Sequence, residues 1–345
     1  MYVHLITAVV ALAFNCHASG LWPHGRAPRQ AECPVAEDIS PCICTSYDDE
    51  FLDIDCSLVE DETQLQQVFQ ADFPSTVFRS FTMDNNQNVL MLEDGVFGSV
   101  TFKNLFIDHG VLEGMTEAAL IGSSDTVNII SLRNNRIYNL PFGTMDSYTV
   151  MESLDLSENL LGELPALSSH SLKVLNIHSN SLGVLPVDTL HGLSNLTRFI
   201  AYNIALTDII PGTFEGLVDL EILNLHSNSL WKLDGDTFST SGRSLQYIDL
   251  HNNYITSVAP DAFPDMSQES SIDLGNNNIT TLEEAVWRPL LEDHVQVFLQ
   301  GNPLACGCDV AWVVGSDTLL GRLPRATCAS GVALDLLHPE DFDQC

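Results

Sequence analysis

Ring-bearing side chains recur along this chain at a nearly constant interval. The intervals of 24, 24 and 25 residues separate four of them, His178, Tyr202, His226 and His251. Two carboxylates lie in the same stretch of sequence and are also 24 residues apart, Asp249 and Asp273. Imidazole and phenol rings can contact a protein partner, and imidazole together with carboxylate can bind a metal ion.

Three interpretations of these residues are open. They can be exposed positions without a function, or a protein-binding surface, or a metal site formed by His226 and His251 with Asp249 or Asp273. We adopt protein binding as the functional interpretation, and we predict no cofactor and no metal site. The predicted binding residues are His178, Tyr202, His226, His251, Asp249 and Asp273.

Catalytic signatures are missing from the sequence. It contains no G-x-S-x-G, no H-E-x-x-H, no phosphate-binding glycine loop and no dinucleotide-binding fingerprint. We therefore predict that the chain is not an enzyme, and the remaining question is what positions the six residues.

A short phrase repeats across most of the chain and answers that question. It consists of an apolar residue, any residue, an apolar residue, any two residues and usually Asn, as in Leu154–Asn159 and Leu223–Asn228. The first apolar residue of each copy is Phe81, Leu105, Ile130, Leu154, Leu175, Phe199, Leu223, Ile248, Ile272 and Val297. These residues are 21 to 25 positions apart, which is the period of a leucine-rich repeat.

Each copy alternates between apolar and variable residues, which predicts a short strand with one buried face. Stacked coils cover one another's apolar faces, so the predicted fold is an α/β-type solenoid, a horseshoe of about ten coils. Its parallel strands form a curved sheet on the concave side. Residues two apart in a strand point the same way, so the six candidate residues should share the concave face.

The Asn that ends most copies should be buried and should bond to backbone groups where the coil leaves the strand. Gly110 and Ile204 occupy this position in two copies. We expect local irregularity at Ile204, with the neighbouring Asn203 as a substitute.

Cysteines lie at both ends of the repeats. The chain has nine, and Cys16 falls in an apolar N-terminal segment that reads as a signal peptide over residues 1–20. The other eight flank the repeats as two groups, Cys33, Cys42, Cys44 and Cys56, then Cys306, Cys308, Cys328 and Cys345. Each group of four allows three disulfide connectivities. The alternative is that the cysteines bind zinc, but the C-x-C spacing and the signal peptide favour caps held by disulfides.

The predicted organisation continues with a linker at 21–32, a cysteine-rich cap at 33–77, and repeats at 78–301. The last repeat strand and a second cysteine-rich cap occupy 302–345. No apolar run is long enough to span a membrane, so we predict a secreted, extracellular protein. Asn195 and Asn278 begin N-x-T acceptor sequences for glycosylation.

The net charge restricts the partners. The chain has 13 Lys and Arg against 46 Asp and Glu, a formal net charge of −33. Such an imbalance repels nucleic acid and anionic membrane surfaces, so we predict no nucleic-acid partner, and the lack of a spanning run predicts no membrane insertion. The charge is either a solvated acidic surface or a feature that favours a basic partner.

The N-terminal cysteine-rich segment carries a resemblance to a known family. Ala31–Cys44, with Leu52–Ser57 downstream, resembles the leucine-rich, non-catalytic subunits of Oplophorus-luciferin 2-monooxygenase, the secreted shrimp luciferase, and their arthropod relatives. The resemblance covers the whole chain after the signal peptide. It implies a helper chain that associates with and stabilises a separate small catalytic subunit, and it carries over no catalytic residue.

The caps also resemble those of extracellular leucine-rich proteins. Asn302–Leu304, followed by Cys306, Cys308 and Trp312, looks like their C-terminal flank. This likeness implies the pairs Cys33–Cys44, Cys42–Cys56, Cys306–Cys328 and Cys308–Cys345.

Two functions follow as hypotheses. The first is a protein-binding, non-catalytic, stabilising subunit of a secreted enzyme complex. The alternative is a free-standing extracellular recognition protein in matrix adhesion or innate immunity.

Overall fold

The repeated phrase folds into short strands, seen in a computed structural model that describes residues 31–47 and 51–345. The predicted signal peptide and nearly all of the predicted linker lie outside the described residues. The strands are, in chain order, β1 (Ile43–Tyr47), β2 (Phe51–Asp55), β3 (Val77–Asp84), β4 (Met91–Leu92), β5 (Thr101–Asp108), β6 (Gly114–Met115), β7 (Ile129–Ser131), β8 (Ser153–Asp155), β9 (Val174–Asn176), β10 (Arg198–Ile200), β11 (Ile222–Asn224), β12 (Lys232–Leu233), β13 (Leu245–Asp249), β14 (Ser257–Val258), β15 (Met266–Asp273) and β16 (Gln296–Phe298).

Within the described residues, twelve of these strands form one sheet in the order β1-β2-β3-β5-β7-β8-β9-β10-β11-β13-β15-β16. The remaining strands lie in the return paths, the segments that connect one strand of the main sheet to the next. There β4 pairs with β6, and β12 pairs with β14. The α-helices are α1 (Glu62–Val68), α2 (Glu284–Glu292), α3 (Ala311–Val314) and α4 (Asp317–Leu320). Short 3-10 helices lie at Ile121–Ser123, Phe142–Ser147, Cys308–Val310, Leu334–Leu336 and Pro339–Phe342.

The register of the sheet follows the repeat. The first apolar residue of each phrase lies beside that of the next, from Phe81 opposite Leu105 to Ile272 opposite Val297. The leucine-rich-repeat solenoid is thus confirmed, with ten repeat strands as predicted. The sheet is longer by β1 and β2, because the N-terminal cap contributes an antiparallel pair and β2 continues in parallel onto β3.

One residue before the Asn position, every coil turns through a left-handed backbone conformation. Eight of these residues have φ between 52° and 56°, and His109 and Gly301 have φ of 57° and 76°. Residues other than glycine adopt this conformation rarely. In the eight coils that have the Asn, this turn directly precedes the buried Asn side chain.

The Asn side chains bond to buried backbone groups, as predicted, and they also join consecutive coils. Nδ2 of Asn159 donates to the carbonyl oxygen of Leu132 in the preceding coil at 2.8 Å and to that of Leu156 in its own coil at 3.1 Å. Its Oδ1 accepts from the backbone N–H of Ile137 at 3.0 Å. Since Asn159 is only 6% exposed, these bonds satisfy backbone groups that water cannot reach.

The coil at Ile204 is irregular, as expected, but Asn203 does not take over the missing amide. Asn203 is exposed, and its Nδ2 donates to Ser179 Oγ at 3.2 Å. Ala205 adopts a left-handed φ of 60°. Asn228 of the next coil instead accepts from the backbone N–H groups of Ile204 and Leu206, at 3.0 and 3.1 Å.

Four disulfides staple the two ends of the array. They pair Cys33 with Cys44, Cys42 with Cys56, Cys306 with Cys328 and Cys308 with Cys345, the pairs that the resemblance implied. At the C-terminal end, Trp312 Nε1 donates to the Leu282 carbonyl at 2.8 Å. The caps therefore cover the apolar ends that a solenoid would otherwise expose.

Candidate functional site: an aromatic row on the concave face

Four of the predicted residues form one continuous stack on the concave face, the face of the main sheet that is opposite its buried side chains. We call His178, Tyr202, His226 and His251 the ring row. Ring centroids are 4.1 Å apart from His178 to Tyr202, 4.2 Å from Tyr202 to His226, and 4.5 Å from His226 to His251. Neighbouring planes are tilted by 10°, 11° and 20°, so the rings lie face to face.

The sheet positions this stack. Parallel strands are ~4.8 Å apart, which is close to the contact distance of two flat rings. The backbone carbonyls of Tyr202, His226 and His251 each accept an N–H from the turn of the preceding coil, at 2.9 to 3.2 Å. The backbone of these residues is consequently held both by the sheet and by the turns of the neighbouring coils.

Local hydrogen bonds orient the imidazoles. Nδ1 of His178 lies 3.1 Å from Ser179 Oγ, and Nδ1 of His226 lies 2.9 Å from Ser227 Oγ. Nδ1 of His251 lies 2.5 Å from Asp249 Oδ1. Each imidazole thus has its Nδ1 bonded within its own coil, and all four side chains of the ring row remain partly exposed.

Burial in the stack changes the protonation of its members. Burial lowers the pKa of His178 below its ordinary value of 6.5, against the opposing effect of the Asp155 and Glu158 carboxylates. Burial also raises the pKa of the Tyr202 hydroxyl, and Glu158 and Asp155 raise it further. The folded protein therefore favours the uncharged forms of His178 and Tyr202.

This preference predicts a loss of stability in acid through His178. The unfolded chain gains a proton near pH 6.5, whereas the folded chain resists it until a lower pH, so stability falls as pH falls below 6.5. In urea unfolding between pH 6.5 and about 5.5, the His178→Gln variant should lose less stability than the unmodified protein. The exposed residue His170 supplies the control, because His170→Gln should keep the original slope. Identical slopes for all three proteins would contradict the prediction.

The row ends at a group of acidic residues. Asp249 and Asp273 are opposite one another on β13 and β15, and Asp249 is buried at 6% exposure. Burial raises the pKa of Asp273, and the Asp249 carboxylate raises it further. The structure thus brings all six predicted residues onto one face, but it groups Asp249, His251 and Asp273 rather than placing His226 among the carboxylates.

A charged group on the coils before the ring row was not among the predicted site residues. His109 Nδ1 is 2.8 Å from Asp84 Oδ1, and its Nε2 is 2.7 Å from Nη2 of Arg133. Arg133 holds the strand position that the ring residues hold in later coils. Reading that position through all ten copies of the phrase would have found Asp84 and Arg133.

The two glycosylation acceptors are exposed. Asn195 donates from Nδ2 to the His170 carbonyl at 2.6 Å, and Asn278 lies one residue beyond a buried Asn. Neither lies on the concave face, so a glycan at either position would leave the ring row open.

Comparison with known proteins shows which family this chain is related to. A family model described as "Leucine rich repeat" matches residues 170–230 and 243–304. The Oplophorus-luciferin 2-monooxygenase non-catalytic subunit of Oplophorus gracilirostris is 34% identical over 347 aligned residues, covering 98% of this chain and 96% of that protein. The chain belongs to the family of this non-catalytic subunit.

Membership confirms the resemblance drawn from the N-terminal segment. The name of the Oplophorus protein describes a non-catalytic subunit, which agrees with the prediction that the chain is not an enzyme. The trophoblast glycoprotein of Mus musculus is a partial match. It is 34% identical over an alignment that covers 25% of this chain and 21% of that protein.

Solved structures show the same fold. A chain from the octameric complex of Latrophilin 3, Unc5D and FLRT2 (LRR) superposes with a TM-score of 0.67 at 21% identity, covering 81% of this chain and 86% of that chain. Within the residues that the structure describes, no helix has the length and apolar character needed to cross a membrane.

Proposed function

We propose that this protein is a secreted scaffold that binds and stabilises another secreted protein as its non-catalytic subunit. The contact surface is the ring row, with Asp249 and Asp273 at its edge. The observation that carries the proposal is the stack of four partly exposed rings, with centroids 4.1 to 4.5 Å apart.

Stacking suits this surface to binding. Side chains that are already ordered lose little conformational freedom when a partner docks, so more of the contact energy appears as affinity. Tyrosine is enriched among the residues that dominate interface energies. Because the faces of the rings cover one another, the ring row presents a continuous strip of ring edges to a partner.

The partner's class follows from relationship and charge. The relative is by name a subunit, which supports a small catalytic chain as the partner. The net charge of −33 favours a partner with a basic contact face, and it disfavours nucleic acid and anionic membranes. Four disulfides support an oxidising, extracellular location, where such bonds persist.

The test is affinity capture from the native secretion, followed by measurement of the isolated complex. We expect a small second chain at fixed stoichiometry. The combined change Tyr202→Ala and His226→Ala should weaken its binding by about 2 kcal/mol or more, roughly thirtyfold in Kd.

Tyr254→Ala is the matched control. Tyr254 is 58% exposed and follows the buried Asn253, where the coil has left the strand. Its removal should leave Kd unchanged. Unchanged binding in the double variant, with an unfolding midpoint like that of the unmodified protein, would place the contact elsewhere.

The same capture tests the alternative function. Recovery of a microbial, matrix or growth-factor ligand without a second chain at fixed stoichiometry would indicate a free-standing recognition protein.

A further inference from the structure

The acidic end of the ring row collects donor atoms for a cation. Asp249, His251 and Asp273 each offer one carboxylate oxygen or ring nitrogen, and these atoms all lie within 4.8 Å of one another. The backbone holds them there, because Asp249 and Asp273 are in register on adjacent strands and His251 follows Asp249 by two residues. The grouping is therefore a property of the sheet and not of one flexible side chain.

The two carboxylates lack a permanent counter-charge. Among the described residues, no Lys or Arg forms a salt bridge with Asp249 or Asp273, and the partner of Asp249 is His251, whose Nδ1 is 2.5 Å away. Hydrogen bonds compensate part of the cost of burial, since Asp249 Oδ1 accepts the backbone N–H of His251 at 3.2 Å and Asp273 Oδ1 accepts that of Gly275 at 2.8 Å. The two neighbouring carboxylates still lack an opposite charge, without which their burial is costly. A cation between the two carboxylates would supply that compensation.

A separate observation concerns Gly275 and Gln300, which lie beside Asp273. Gly275 follows Asp273 by two residues, where the ring row has its ring-bearing side chains. A Cβ built there would be 2.6 Å from Gln300 Nε2, so the glycine lets the Gln300 side chain approach. That Nε2 is 3.4 Å from Asp273 Oδ1, while the buried Gln300 Oε1 has no hydrogen-bond partner. A buried acceptor without a donor is rare in folded proteins.

We propose that Asp249, His251 and Asp273 bind one divalent transition-metal ion, with Zn²⁺ as its representative. Gln300 supplies a further oxygen once its amide turns over, so that Oε1 takes the place of Nε2 beside Asp273. Imidazole and carboxylate ligands suit Zn²⁺, which takes four ligands at about 2.0 to 2.2 Å. Donors around such an ion are about 3 to 4 Å apart, so small rotations of Asp249, His251 and Asp273, together with the turn of the Gln300 amide, complete the site. Ca²⁺ prefers six or more oxygen ligands, which this group does not provide.

The site extends the role of the ring row. His251 is both the last ring of the stack and a ligand, so the ion would fix the end of the row and reduce the negative charge beside it. A metal ion would thereby stabilise the surface that the proposed function uses, although its binding can be measured without any partner.

The experiment is calorimetric titration of the untagged, EDTA-treated and dialysed full-length secreted protein with ZnCl₂. We expect one ion per chain and a rise in the thermal midpoint with Zn²⁺, since a ligand that binds the folded state stabilises it. Asp273→Asn and His251→Gln should each weaken Zn²⁺ binding at least tenfold. CaCl₂ should give no comparable binding.

Asp155→Asn is the matched control, because Asp155 holds the equivalent strand position on β8, near the other end of the row. It should bind Zn²⁺ like the unmodified protein. Urea unfolding in EDTA establishes that each variant is folded, and the two ligand variants provide independent tests. Absence of Zn²⁺ binding, equal binding by both ligand variants and the unmodified protein, or equally tight binding of Ca²⁺ would overturn the proposal.

Discussion

The Asn228→Ala variant should be destabilised by about 4 kcal/mol, a large loss for a single substitution. The reason is that this amide serves two coils. Its Oδ1 accepts from Ile204 and Leu206, and its Nδ2 donates to the carbonyls of Ala201 and Leu225, both at 3.0 Å. Alanine would leave three buried backbone groups unpaired, the N–H groups of Ile204 and Leu206 and the carbonyl of Ala201, since the Leu225 carbonyl still accepts from Asn253 Nδ2 at 3.1 Å. Each unpaired group costs about 1–3 kcal/mol unless water or local rearrangement compensates.

Asn277→Ala is the matched comparison. Oδ1 of Asn277 accepts one N–H, that of Ile255 at 2.9 Å, because the neighbouring coil has its own Asn. Equilibrium urea unfolding should therefore show a smaller loss for Asn277→Ala, by roughly 1–2 kcal/mol. Equal losses in the two variants would mean that the second N–H at Ile204 adds nothing to stability.

The second large effect is expected at the N-terminal end, where Phe102→Ala should cost about 3–5 kcal/mol. Phe102 is fully buried, and its ring lies 5.0 Å from Phe97, 5.3 Å from Phe81 and 6.0 Å from Phe69. These rings come from two repeat strands, a return path and the end of the cap helix. Truncation would open a cavity where the cap meets the first coils.

Phe73→Ala provides the comparison at the rim of the same cluster. Phe73 is partly buried, and its ring stacks on Phe69 at 5.6 Å. Urea unfolding should show a loss of about 1–2 kcal/mol, because solvent and neighbouring side chains can fill part of the space. A loss as large as that of Phe102→Ala would contradict the assignment of Phe102 to the centre of the cluster.

The repeat register was predictable from sequence because it depends on residue type at a fixed interval. Asn159 is an example. Its place in the phrase determines which neighbouring coil it contacts and which backbone groups it bonds to. The same interval placed His178 and Tyr202 on one face. The N-terminal phenylalanine cluster was not predictable, because Phe69 and Phe97 belong to segments that do not repeat.

The contacts within the candidate site also lay beyond sequence analysis. Spacing places His226 beside Tyr202, but whether the rings meet face to face depends on side-chain torsions and on hydrogen bonds such as that to Ser227. Gln300 was not singled out, since its approach to Asp273 requires the absence of a side chain at Gly275. Asn203 failed as a substitute for the missing amide because its side chain points to solvent rather than under the strand.

The amide bridges between coils have a mechanical consequence. Each coil is joined to its neighbours alone, so tension applied between the two disulfide-stapled ends passes through every junction in series. Such an assembly is as strong as its weakest junction. We expect the array to open first at the junctions that precede Gly110 and Ile204, since these two coils have no Asn to bond to the coil before them.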